Sequence, residues 1–139
     1  MTENDYVMRI VKQFADALAR LFFGKGGGVS LEKELDEVST QFTGLSLTTL
    51  RALPAGQIIN LCSLNGSLDM NRVYAAGMLL YKDAVLSGEE SEAFFSRVRK
   101  SSYLLTKVAA DFGAFLNEEH EAALQHLTEV LDKEADLQR

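Results

Sequence analysis

The sequence is short of the residues that staple, bend or ligate a chain. Its 139 residues hold one cysteine, one proline, two histidines and no tryptophan. The single thiol, Cys62, excludes an intramolecular disulfide and fits a reducing compartment. With one proline, long segments are free to be helical, because proline removes a backbone donor and clashes with the preceding turn. No stretch reaches the roughly 20 consecutive apolar residues that cross a bilayer, so no membrane span is expected. The opening Met1-Thr2-Glu3-Asn4-Asp5 places no basic segment ahead of an apolar run, so no secretory leader is expected and the reading is cytoplasmic. Positive charge is scarce too: 14 Lys and Arg stand against 20 Asp and Glu, a net charge of −6. Such a field repels polyanions, and neither a nucleic-acid nor a membrane partner is expected.

What remains favours helix. Hydrophobic residues make up 47% of the chain, enough for a packed core. A chain of this size buries roughly two-thirds of its unfolded surface, so one helical domain spanning 1–139 is expected without metal or disulfide support. Val7, Val11, Phe14, Leu18 and Leu21 recur at helical spacing and predict an amphipathic helix over 4–23, ended by the glycines of 24–28. Short helices are expected within 30–64. Ser30 caps the first, whose stripe is Leu31, Leu35, Val38 and Phe42. The next runs from Ser46 to Leu53, and Pro54 opens a third. Asn65-Gly66-Ser67 reads as a turn.

Helical hairpins are expected over 69–132. Asp69 caps a helix reaching Ser87, apolar on two adjoining stripes (Val73, Gly77, Leu80, Ala84 and Tyr74, Met78, Tyr81, Val85) and so sandwiched between neighbours. The next helix is expected from Ser91 to Phe115, with Phe115 inside, and Asn117 caps the last, which frays from Lys133. The pattern predicts an all-α bundle of about six helices and no strand.

Two segments carry a resemblance to a family. Asn4 to Ile10, continuing through Ala17 to Phe22, and the stretch Leu61 to Asp69 with the two-stripe helix after it, resemble a family of uncharacterised all-helical proteins from Gram-positive bacteria (Firmicutes). The resemblance covers most of the chain and implies a fold and a lineage, not a reaction. His120-Glu121-Ala122-Ala123-Leu124, followed by Leu127, Val130 and Leu131, resembles the second helix of a tetratricopeptide-type hairpin. Glu92-Ala93-Phe94 opens a weaker copy that departs from the pattern at Arg97 and Lys100.

No catalytic or metal constellation is legible. His120 and His126 lie about 240° apart on a helix, so they cannot share a metal as an i, i+4 pair does. The positions three before them hold Asn117 and Ala123, where a carboxylate-bridged metal bundle needs Glu. His120 is expected to be a partly buried first-turn residue. Cys62, among Ile58, Ile59, Leu61 and Leu64, reads as an inert buried thiol. Gly24-Lys25-Gly26-Gly27-Gly28 lacks the Ser or Thr and the earlier glycine of a phosphate loop. Arg97, Arg99, Lys100 and Lys107 read as a solvated helix face. No cofactor is expected. These absences, with the wide apolar arcs, point to a non-enzymatic protein-interaction module with a protein partner or a second copy. The expected self-association face is Phe14, Leu18, Phe22 and Phe23, where Met8, Ile10 and Ala15 widen the arc. The alternative is a small apolar ligand held by Tyr74, Met78 and Tyr81.

Overall fold

The computed structural model describes residues 3–23, 29–64, 66–87 and 91–138. Among the described residues the chain forms seven helices: α1 (Glu3–Phe23), α2 (Val29–Thr43), α3 (Leu47–Ala52), α4 (Ala55–Leu61), α5 (Met70–Ser87), α6 (Glu92–Phe112) and α7 (Glu118–Leu137). The all-α expectation is met. The glycines of 24–28, residues 88–90 and Asn65 of the expected turn lie outside the described residues.

Local chemistry sets most of the boundaries. Ser46, Ser91 and Asn117 each accept the backbone N–H of the residue three positions on, closing α3, α6 and α7 at their N-termini. The Asp69 carboxylate accepts from Asn71 N at 3.0 Å and starts α5. Pro54 stands at the N-cap of α4 without a side-chain bond. At α2 the helix begins at Val29, so Ser30 lies inside the first turn instead of capping it.

Three expectations need correction. No strand is expected, yet β1 (Ser63–Leu64) and β2 (Ser67–Leu68) pair antiparallel, Ser63 opposite Leu68 and Leu64 opposite Ser67. Gly66, at φ 81°, takes the left-handed conformation that a two-residue connection requires, and two-residue strands are too short to show alternation. The sixth helix stops at Phe112, not Phe115, because Gly113 turns left-handed at φ 69°. The last helix does not fray at Lys133. It continues to Leu137, and Glu134 is tied to Arg99 of α6.

At the centre lies α5, buried continuously from Val73 to Leu80. Over that stretch it is covered on every side, as its two stripes require, but Val85 at the end of the second stripe is 47% exposed. Antiparallel to it runs α6: Ser101 Oγ donates to the Gly77 carbonyl at 2.8 Å, and Arg97 reaches Asp83. A side chain at residue 77 would collide, since a Cβ there would sit 2.8 Å from Leu105 Cγ and Cδ2. Alongside, α7 runs parallel to α5, with Tyr74 meeting Asn117 and Tyr81 meeting His126. On the remaining side α1 and α2 dock through Phe14, whose ring meets Phe42 at 5.2 Å and Tyr74 at 6.0 Å, both edge-on. One hydrophobic core draws side chains from all seven helices.

Candidate functional site

Only one face of α1 is docked. Val7, Val11, Phe14 and Leu18 turn into the core. The adjoining stripe (Met8, Val11, Lys12 and Ala15, spaced as one helical face) forms a wall of an open groove of about 380 Å³. Asn117, Glu118 and Glu119 at the start of α7 form the opposite wall. Met8 is shared with a second hollow of about 200 Å³, lined by Val7, Phe112, Ala114, Phe115 and Leu116. Met8 is 42% exposed and Phe115 43%, so two large apolar side chains stand open beside the hollow they share.

That turn is held rigidly from below. His120 is wholly buried. Its Nδ1 accepts the Leu116 N–H at 3.0 Å, so Nε2 carries the proton and donates to the Leu105 carbonyl at 2.9 Å. Burial pushes the His120 pKa below its usual value, only partly offset by the Leu105 bond, so the ring is neutral. Asn117 caps His120 N at 2.8 Å and donates to Tyr74 Oη at 3.1 Å. Tyr74 and Phe115 both meet the imidazole edge-on, at 5.6 and 5.2 Å. Phe115 is therefore displayed at the surface by a fixed turn.

A second cluster of charge lies where α2, α3, α5 and α6 meet. Arg51 grips the buried Asp83 carboxylate with Nε at 2.9 Å and Nη2 at 2.7 Å, and reaches Glu32 at 2.7 Å. Arg97 approaches the same carboxylate at 3.5 Å. Lys100 donates to the carbonyls of Leu50, Arg51 and Leu53 at 2.8, 2.6 and 3.0 Å, satisfying the open end of a six-residue helix. Arg97 and Lys100 thus contradict the solvated-face reading. Lys100 ties α6 to the end of α3, and Arg97 ties α6 to Asp83 of α5. Arg99 and Lys107 do pair on the outside, with Glu92 and Glu134 and with Asp111. A groove of about 280 Å³ opens beside Arg51, Asp83 and Arg97, but the two guanidinium groups that border it are already engaged with Asp83. Cys62 is buried, and burial pushes its thiol up to about 11, which keeps it protonated.

The sequence-based candidates fare unevenly. Phe14 and Leu18 are 2% and 5% exposed, packed inside their own chain, so they present no face to a partner. The apolar arc of α1 is wider than the strip α2 and α5 cover, and its more polar flank is the part left open. The side chains of Phe22 and Phe23 lie outside the described residues. Tyr74 and Met78 are each 1% exposed and belong to the hydrophobic core. Tyr81 is bonded to His126 Nδ1 at 2.7 Å. None of the grooves described here is lined by any of the three. Sequence reasoning missed Phe115. The signal was Gly113, one residue past a helical stripe, which marks a left-handed stop.

No family model matches the chain, and no solved structure matches it. Among curated proteins, the beta subunit of an ADP-forming succinate–CoA ligase from Paraburkholderia phytofirmans is 31% identical over 96 residues. The match covers 63% of this chain and 25% of that subunit, so the chain spans about a quarter of the length of the relative it matches.

Proposed function

We propose that this chain is a non-enzymatic helical interaction module that receives a protein partner in the groove between α1 and the α6–α7 turn. The observation that carries the reading is the pair Met8 and Phe115, both exposed beside one hollow whose other lining includes Val7 and Phe112. An apolar patch rimmed by charge is the usual anatomy of a protein contact. Three titratable groups drawn into the fold are engaged in holding it together: His120 in the turn, Asp83 and Lys100 in the brace. The hairpin of α6 and α7 supports a tetratricopeptide-like packing, since Ala123 and, four residues on, Leu127 are both buried. A cytoplasmic setting fits the lone buried thiol.

The test is photo-crosslinking inside the source cell. With p-benzoylphenylalanine replacing Met8 or Phe115, a discrete adduct forms on illumination. The same group replacing Tyr103, exposed on the outer side of α6, forms none. Absence of an adduct from both groove positions, or equal yield from position 103, overturns the reading.

A further inference from the structure

Resting on that reading, we infer that the occupant of the groove is a second copy of this chain, related to the first by a two-fold axis. The charges on the two walls carry the inference. Lys12 stands on the α1 wall, exposed, and among the described residues no ion pair engages it. Glu118 and Glu119 stand on the α7 wall, also exposed and outside every ion pair among the described residues. A partner bearing charge of one sign would meet a like charge on one of these walls. A copy turned through 180° meets neither difficulty. It brings its own Lys12 to Glu118 and Glu119, and receives Lys12 of the first copy on its own pair, the reciprocal pattern an isologous interface demands.

Charge balance points the same way. The chain as a whole is at −6, which sets two copies against each other everywhere except where positive and negative alternate. Within the groove one lysine faces two glutamates in the first turn of α7, where the positive end of the helix dipole offsets part of their charge. The lysine and the dipole together offset much of the two glutamates' charge, so repulsion between copies at the groove is small. Met8 lines the groove and Phe115 the adjoining hollow, and a copy docked there would cover both.

The experiment is sedimentation of the full chain and of two charge-reversed variants, Lys12→Glu and the double variant Glu118→Lys, Glu119→Lys. All substituted residues are exposed, and circular dichroism checks that helix content is unchanged. At tens of micromolar the parent chain sediments with twice its monomer mass. Each variant alone places like charges across the axis and dissociates at least roughly tenfold more readily, the response expected from reversing charges at an interface. Mixed in equal amounts, the two variants restore the dimer, because every contact again joins opposite charges. A contact internal to one chain cannot be restored by mixing. A monomeric parent, variants that stay as dimeric as the parent, or a mixture that stays monomeric would each overturn the inference. If the crosslink from Met8 leads to a different protein and the parent is monomeric, the interaction reading stands and the second copy is removed. If no crosslink forms at all, the interaction reading itself falls.

Discussion

His120 is the buried group with most to lose from acid. The folded chain holds it neutral, with a pKa lowered by burial, while the unfolded chain returns it to an ordinary value of about 6.5. The unfolded state therefore binds the proton first as pH falls, and the stability contributed by His120 is full above that value and declines below it. The slope is at most about 1.4 kcal/mol per pH unit, the limit for one proton. Protonation at Nδ1 would also set two N–H groups against each other where Leu116 now donates. Urea unfolding at pH 7.5, 6.5 and 5.5 should show this loss in the parent chain and a shallower one in His120→Gln, which keeps carboxylate titration common to both. Parallel pH profiles would rule out the role. Lys100 teaches a complementary point. Its identity in the sequence suggests a solvated charge, yet its three bonds go to the carbonyls around the end of α3. Nothing local to residue 100 announces an acceptor nearly fifty residues earlier in the chain.

At the scale of elements, the approach of α6 to α5 turns on Gly77. Alanine is the better helix former by about 1 kcal/mol, so an isolated helix would gain from Gly77→Ala. Here the added methyl would meet Leu105 at 2.8 Å, and overpacking costs about 1–3 kcal/mol. The cost should win, giving a net loss of stability in chemical denaturation. Adding Leu105→Ala to Gly77→Ala should recover part of the methyl's own penalty, read as a coupling term in the double-mutant cycle. A Gly77→Ala chain as stable as the parent would show that the two helices separate freely. The same scale explains which boundaries are legible. Ser46, Ser91, Asn117 and Asp69 cap through bonds that span two or three residues, so their effect is written into adjacent sequence. The end of α7 is not, because Glu134 is anchored by Arg99, thirty-five positions away.

For the whole molecule, the arrangement is a central helix with a sheath of unequal tightness. From Val73 to Leu80 every residue of α5 is buried, and its neighbours include α1, α2, α6 and α7. Opening α5 requires opening the core, so its amides should be the slowest to exchange with solvent and should report the global unfolding free energy. α1 is docked along one face only and should open at lower cost. Native-state hydrogen exchange at low protein concentration checks this. Amides of α1 as protected as those of Val73 to Leu80 would contradict the architecture, and α1 protection that grows with concentration would accompany the two-fold contact.

Residue order alone determined the helices, most of their caps and the stripes that seek a core, because each of these depends on neighbours within one or two turns. The burial of Val7, Val11, Phe14 and Leu18 follows from spacing, as does the all-round burial of α5 from Val73 to Leu80. Tertiary structure decided what each stripe meets. Phe14 and Leu18 carried the strongest apolar signal on α1 and went into the chain's own core. The flank with Met8, Lys12 and Ala15, weaker by hydrophobicity, is the part left open. Likewise Arg51 finds Asp83, and Lys100 finds the end of α3, only after helices remote in sequence are packed side by side. Periodicity states that a face will be covered; which element covers it, and which strip stays bare, depends on the widths and directions of helices that the local pattern does not contain.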